Sequence, residues 1–160
     1  MYVRAAVPED AEALTDLHLK VWEEAYSGLI DAAVLAERRE GRSARIDKWR
    51  TILTGSSSTI FVAQEPDGAL AGFISVGPGR DDRSPDLPER EVHALYVRAA
   101  KYGTGVGYAL LDTAIGAAPA YLWVLDGNER AVGFYERQGF RYDGGSRSDP
   151  VGGERRMVRR

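Results

Sequence analysis

The stretch EVHALYVRAAKYGTGVGYALL, residues 91–111, decides how the whole chain is interpreted. Its first part is nearly all apolar after Glu91, which is typical of a central strand covered on both faces. A glycine-rich turn and a helix follow, so the unpaired N–H groups of the first helical turn would lie beside backbone with little side-chain cover. Gly103, Gly105 and Gly107 would let a phosphate approach closely, and the helix dipole would favour its charge. The stretch therefore predicts an anion-binding site.

Two known kinds of phosphate-binding turn can be compared with these glycines. A P-loop needs a Lys followed by Ser or Thr after the glycines, and this turn lacks that pair. A dinucleotide-binding turn gains support from Asp126, which lies about 20 residues further on, where an acid would bind the ribose. Against it, the glycines alternate, and Tyr108 occupies the place of the third glycine. A turn in which the glycines only reverse the chain is a further alternative.

The size and charge of the chain are ordinary for a globular protein: 160 residues, 44% of them hydrophobic, and a formal net charge of -3. This length predicts one domain over residues 1–160. The charge gives no basic footprint for nucleic acid or an anionic membrane, so we expect neither as a partner. No segment approaches the roughly 20 apolar residues of a membrane span, and we expect a cytoplasmic location.

Cysteine is absent from the sequence, and His18 and His93 are its two histidines. The absence of cysteine excludes disulfides, thiolate metal sites and mechanisms that store an acyl group on a cysteine. Because no carboxylates cluster with the histidines at ligand spacing, we expect no metal.

The rest of the sequence predicts helices and strands on both sides of the opening stretch. The predicted strands cover residues 2–5, 59–64, 69–77, 91–97, 121–125, 140–143 and 154–160. One predicted helix begins after Pro8, and a helical region over 31–53 is divided into two pieces at Gly41. Two more helices are predicted, one after the glycine turn and one from Asn128 to Gly139. The segments 77–90 and 144–153 are predicted as loops because glycine, proline, serine and charged residues dominate them.

This order of elements predicts an α/β (α+β) fold with a mixed, mostly antiparallel central sheet and helices on both faces. One part differs. The strand 91–97, the helix after the glycines and the strand 121–125 form a βαβ crossover, so these two strands should run parallel.

With these motifs, the chain resembles the GNAT superfamily of acetyl-CoA-dependent N-acetyltransferases. The coenzyme A loop of that family has Arg or Gln, two residues, Gly, one residue, and Gly or Ala. Here the frame is YGTGVG, residues 102–107, in which the glycines match and Tyr102 departs from the leading basic or amide residue. Lys101 or Arg98 would then supply positive charge nearby.

A second motif strengthens the resemblance. NERAVGFYERQGF, residues 128–140, is similar to the family's pattern of an Asn, a helix carrying Phe-Tyr, and a closing Gly-Phe. The likeness extends to VWEEAYSG near the N-terminus and ERRMVR near the C-terminus, so it covers essentially the whole chain.

The resemblance implies that the two parallel strands splay apart and leave backbone groups free to bind the pantetheine arm of acetyl coenzyme A. A backbone N–H there would stabilise the oxyanion that forms when the thioester carbonyl is attacked. Core packing for the strand residues and helix capping for Asn128 are the simpler alternatives. The residues implied for the coenzyme A site are Leu95, Tyr96, Val97, Tyr102, Gly103, Thr104, Gly105, Val106, Gly107, Tyr108, Asn128 and Phe134.

An amine attacks a thioester only when its nitrogen is neutral, so a base must remove a proton. Glu91 is the candidate, directly or through one water, with an exposed strand-start acid as the alternative. Strand alternation places Glu91, His93, Leu95 and Val97 on one face, and Val92 on the other with Ala94 and Tyr96. His93 is a second candidate base or an acceptor ligand, unless it is a hydrogen-bonded core histidine.

A proton donor would help the thiolate of coenzyme A to leave. Tyr135 aligns with the family's helix tyrosine and fits this role, with a core aromatic beside Phe134 as the alternative. Because no cysteine can carry the acetyl group, we expect direct transfer in a ternary complex.

The acceptor does not follow from the sequence. The resemblance places Trp22 and Tyr26 in the substrate pocket, with core packing as the alternative, and His93 is a candidate ligand of the acceptor. Asp81, Asp82 and Asp86 in the loop could attract a cationic amine, unless they are only solvated surface charges. We expect a small-molecule amine, with a protein amine or a catalytically silent acyl coenzyme A sensor as alternatives. A homodimer is suggested by resemblance alone.

Overall fold

One seven-stranded sheet organises the protein in a computed structural model that describes residues 1–149 and 152–160. The strands are β1 (Tyr2–Ala5), β2 (Thr59–Gln64), β3 (Leu70–Pro78), β4 (Arg90–Val97), β5 (Ala120–Leu125), β6 (Arg141–Asp149) and β7 (Gly152–Arg159); the helices are α1 (Ala11–Tyr26), α2 (Ala32–Glu40), α3 (Arg42–Gly55), α4 (Val106–Ile115) and α5 (Glu129–Arg137). Gly41 ends α2 and precedes α3, which confirms the predicted division of that helical region.

The sheet is mixed, as predicted. Its strands lie in the order β1-β2-β3-β4-β5-β7-β6. Every neighbouring pair is antiparallel except β4 and β5, which run parallel and are connected by α4. The predicted βαβ crossover is therefore confirmed, and it lies in the middle of the sheet.

The apolar stripe of α1 covers one face of the sheet. Leu14, Leu17 and Val21 recur at helical spacing and are buried. They pack in one cluster with Trp49 of α3 and Phe73 of β3. Burying each of these side chains stabilises the fold by about 2 kcal/mol, so this cluster fixes α1 and α3 on the sheet.

The opposite face of the sheet carries α4 and α5. Leu110 and Leu111 of α4 pack in a second buried cluster with Leu122 of β5 and Met157 of β7. Phe140, which follows α5 after Gln138 and Gly139, is fully buried in the same cluster. Helices therefore lie on both faces, and α4 is fixed against the two parallel strands.

The last two strands are longer than predicted. Most of the segment 144–153, expected to be a loop, continues β6 and begins β7, and the pairs include Arg147 with Glu154 and Ser148 with Gly153. Serine and glycine disfavour strands, but backbone pairing and the Arg147–Glu154 ion pair outweigh that local preference. The part of the loop prediction that falls on residues 150–151 lies outside the described residues.

His18 on α1 is surrounded by aromatic rings. Its ring centroid lies 5.4 Å from that of Phe73, 5.6 Å from that of Tyr96 and 5.9 Å from that of Trp49. Loss of contact with water, with a smaller effect from nearby basic side chains, lowers the pKa of His18 to about 3. His18 is therefore neutral in the folded protein at ordinary pH.

This environment predicts that acid weakens the fold. Below its usual pKa of about 6.5 a histidine gains a proton in the unfolded chain, while His18 stays neutral in the folded one, so stability falls as pH drops from there toward about 3. At about pH 5 the loss from His18 should reach up to about 2 kcal/mol. Urea unfolding at about pH 7.5 and about pH 5 measures the difference in the free energy of unfolding between the two conditions. This difference should be smaller in His18→Leu than in the wild type. Equal differences in the two proteins would contradict the prediction.

Candidate active site

A cavity opens where the two parallel strands separate. Their pairing is limited to Glu91 with Tyr121 and Val92 with Leu122. Beyond those pairs β4 and β5 diverge, and a cavity of about 380 Å³ lies between their carboxyl-terminal halves, the glycine turn and α5. This is the separation that the resemblance implied, and it leaves the backbone from Ala94 onward without a partner on the β5 side.

A β-bulge in β4 sets the direction of the side chains near this cavity. Ser75 of β3 pairs with Ala94, but the next residue, Val76, pairs with Val92. His93 therefore stands opposite no residue of β3. An extra residue of this kind bends a strand and re-aims its side chains.

The bulge changes which residues share a face of β4. Val92 packs with Leu95 and Val97 in the cluster that contains α4, although alternation placed it opposite them. The prediction that one face of β4 carries Glu91, His93, Leu95 and Val97 is therefore wrong. The extra residue interrupts the alternation of side chains between the two halves of the strand.

The glycine turn forms the start of α4 and one wall of the cavity. Gly103 and Gly105 have φ values of 74° and 92°, a left-handed conformation that other residues rarely adopt. A side chain at either position would meet open space, so the backbone there is uncovered. Of the loop residues predicted for coenzyme A, Tyr102, Gly103, Gly105, Val106, Gly107 and Tyr108 line the cavity. Thr104 does not, and its hydroxyl donates to the carbonyl of Lys101.

Both basic residues proposed to compensate for Tyr102 already have acidic partners. Lys101 Nζ lies 3.0 Å from a carboxylate oxygen of Glu65, and Arg98 forms a 2.9 Å ion pair with Glu24. Arg130, which the sequence interpretation missed, holds its guanidinium 3.5 Å from the centre of the Tyr102 ring and lines the cavity. Its place two residues after Asn128, at the start of α5, was the only signal in the sequence.

Tyr135 lies on the cavity wall formed by α5. Asn128 begins this helix and accepts a hydrogen bond from the backbone N–H of Ala131, so its predicted cap is present while it also lines the cavity. The Tyr135 ring packs edge-on against Phe134 and Phe140, and only 8% of the residue is exposed. Burial raises the pKa of Tyr135 well above its usual value of about 10, so the hydroxyl keeps its proton at neutral pH.

The aromatic residues of α1 divide into one that lines the cavity and one that lies behind it. Tyr26 lines the cavity and shares a 3.0 Å hydrogen bond with the hydroxyl of Tyr96, which also faces it. Trp22, predicted as a substrate residue, is outside the cavity lining. It packs against the Tyr26 ring at 4.7 Å and carries the Arg38 guanidinium on its own face. Trp22 thus supports the position of Tyr26.

Glu91, the predicted base, is completely buried and does not line the cavity. Its carboxylate accepts two hydrogen bonds from the Arg80 side chain, at 2.9 and 3.1 Å, and one from the Arg80 backbone N–H at 3.0 Å. The Tyr121 hydroxyl lies 3.4 Å from the same carboxylate. The alternative of an exposed strand-start acid is therefore wrong, and any proton transfer to Glu91 needs an intermediary.

His93 is one of the residues that line the cavity. Its Nε2 lies 3.0 Å from the carbonyl oxygen of Pro78, an acceptor, so Nε2 carries the hydrogen. Nδ1 lies within hydrogen-bond distance of the Ser58 hydroxyl, at 3.3 Å, and Nε2 is 3.7 Å from Glu91. Both ring nitrogens therefore have partners in this conformation.

The acidic loop residues are not at the cavity. Asp81 accepts hydrogen bonds from Tyr121 and from the indole N–H of Trp123, both at 2.9 Å. Asp82 and Asp86 are exposed and line no part of the cavity. The acid that does line it is Glu154 of β7, which the sequence interpretation missed.

Two further observations concern the described residues as a whole. Within residues 1–149 and 152–160, no three His, Asp or Glu side chains converge so as to hold a metal ion. No helix of that part of the chain is long and apolar enough to cross a membrane.

Comparison with known proteins gives one consistent family. The model of the acetyltransferase (GNAT) family matches residues 14–140. A probable N-acetyltransferase of Mycobacterium tuberculosis is 29% identical over 145 residues, which cover 89% of this chain and 80% of that protein. A peptidyl-lysine N-acetyltransferase of Escherichia coli is 37% identical over 67 residues, 41% of this chain and 46% of that protein. Among solved structures, the PaiA N-acetyltransferase of Thermoplasma acidophilum in complex with coenzyme A superposes with a TM-score of 0.72 at 18% identity, over 99% of this chain and 98% of that one.

Proposed function

Because the chain belongs to the GNAT family of acetyltransferases, we propose that it transfers the acetyl group of acetyl coenzyme A to a primary amine of a small molecule. The observation that carries this proposal is the continuity of the cavity. The glycine turn, the unpaired backbone of β4, Tyr135 and Glu154 line the same space of about 380 Å³. Donor and acceptor can therefore meet within it, as direct transfer in a ternary complex requires.

The donor would lie along the wall made by α4, β4 and α5. The backbone N–H groups at the start of α4 receive the pyrophosphate, aided by the helix dipole. The pantetheine arm extends between the separated strands and bonds to the free backbone of Leu95, Tyr96 and Val97, and Phe134 and Asn128 border it from α5. A backbone N–H of β4 then stabilises the oxyanion.

Proton transfer completes the proposed reaction. The attacking nitrogen forms its bond to the thioester carbon and loses a proton through a water beside His93 toward Glu91. The C–S bond breaks, and Tyr135 donates its proton to the departing sulfur. The Tyr135 hydroxyl is available for this step because it has no hydrogen-bond partner among the described residues.

The size of the cavity favours a small acceptor. Its volume is within the range of small-molecule pockets, roughly 300–1,000 Å³. Tyr26 and His93 border the acceptor end together with Glu154, whose carboxylate already forms a 2.9 Å ion pair with Arg147. The relative named for peptidyl-lysine acetylation supports the second candidate, an amine on a protein.

A thiol-release assay tests the proposal, and the absence of cysteine removes any background from the protein itself. Acetyl coenzyme A is incubated with polyamines, amino acids, aminoglycoside-type amines and lysine peptides. We expect release that depends on a small amine and exceeds that with any peptide. A clear preference for peptides would favour the second candidate, and coenzyme A binding without any amine-dependent release would favour a silent sensor.

A further inference from the structure

Arg130 occupies the space where the glycine turn lacks its basic residue. Its guanidinium carbon lies 3.5 Å from the centre of the Tyr102 ring. Arg130 and Tyr102 both line the cavity beside Gly103 and Gly105. Tyr102, the residue that departs from the pattern of the turn, therefore packs its ring against a cation from α5.

The contact between the two side chains leaves the guanidinium ready for a ligand. Stacking on the tyrosine uses the flat face of the group, while its N–H donors point outward around the edge. Such an edge can bind phosphate oxygens through two parallel hydrogen bonds. The stack also restrains a flexible side chain before the ligand arrives, which reduces the entropy cost of binding.

Arg130 also differs from its basic neighbours in its charge balance. Lys101 is paired with Glu65, and Arg98 is paired with Glu24. Among the described residues no carboxylate lies within ion-pair distance of Arg130, so its charge is not neutralised. Burial raises the pKa of Tyr135, and the positive charge of Arg130 partly opposes that rise. The charge of Arg130 therefore acts on a residue that lines the cavity.

We propose that Arg130 binds the pyrophosphate of coenzyme A and replaces the basic residue that the turn lacks at Tyr102. The phosphate then has two sources of stabilisation: backbone N–H groups from the start of α4 and a guanidinium from the start of α5. The inference rests on the proposed use of this cavity for acetyl coenzyme A.

Calorimetric titration with coenzyme A tests the proposal on the wild type, Arg130→Gln and Arg50→Gln. Arg130 is exposed, so its replacement should leave the fold intact, and Arg50 is an exposed arginine of α3 outside the cavity. Loss of a charge-assisted contact should raise the Kd about 10- to 100-fold in Arg130→Gln and leave it unchanged in Arg50→Gln. The double variant Tyr102→Arg/Arg130→Gln should regain most of the affinity.

Dephospho-coenzyme A identifies the phosphate involved, because it keeps the pyrophosphate and lacks the 3′-phosphate. We expect the same loss of affinity in Arg130→Gln with this ligand. A loss that disappears would assign Arg130 to the 3′-phosphate and overturn the proposal, as would equal Kd values for wild type and Arg130→Gln. Failure of the wild type to bind coenzyme A would instead overturn the proposed use of the cavity.

Discussion

Replacing Tyr135 by Phe should lower kcat about 100-fold while the Kd for coenzyme A changes little, because a general acid typically contributes at least that factor. The variant keeps the ring that packs against Phe134 and Phe140 and removes only the hydroxyl. Burial raises the pKa of Tyr135, so the wild type should not lose activity through this group as the pH rises across the neutral and mildly alkaline range. Steady-state kinetics of thiol release, together with titration of coenzyme A, measures both quantities.

Tyr2→Phe is the matched control for this experiment. Tyr2 is exposed on the edge strand β1, and its hydroxyl donates to Gln64 far from the cavity lining. Its removal should leave kcat unchanged. If Tyr135→Phe also kept the wild-type kcat, Tyr135 would have no part in the proton transfer, and parallel losses in kcat and coenzyme A affinity would point to disturbed packing instead.

Replacing Arg80 by Gln should destabilise the protein by about 3 kcal/mol, because it leaves the charge of the completely buried Glu91 without its partner. Glu91 is completely buried and receives three of its hydrogen bonds from Arg80. Glu91→Gln should cost less, since the half-exposed guanidinium of Arg80 can turn to water. Urea unfolding of the two variants measures this order.

Arg83→Gln provides a control in the same loop. Arg83 pairs with Glu89, but both side chains are more than 80% exposed, so the change should cost less than about 1 kcal/mol. A similar small cost for Arg80→Gln would show that the ion pair between Arg80 and Glu91 does not stabilise the protein.

The Glu91→Gln variant also tests the proposed role of Glu91 in catalysis. Glu91→Gln should lower kcat more than it weakens coenzyme A binding. A structural role alone would lower both together. An unchanged kcat in a folded Glu91→Gln protein would remove Glu91 from the mechanism.

The order of elements, the crossover and the glycine turn could all be predicted from the sequence. These features depend on short-range patterns: the apolar stripe of α1, the largely apolar strand β4, and glycines at two positions that require positive φ. Two motifs in the correct order then indicated the family, which the family model over residues 14–140 shows.

The assembly of the site could be seen only in the folded structure. The contacts that build it join residues that are distant in sequence, or they depend on a neighbouring strand. The bulge at His93 exists only in the pairing of β4 with β3, and it overturned the face assigned to Val92. Arg80 reaches the buried Glu91 from a loop without periodicity. Arg130 reaches Tyr102 from a different helix, and no local pattern in the sequence marks either contact.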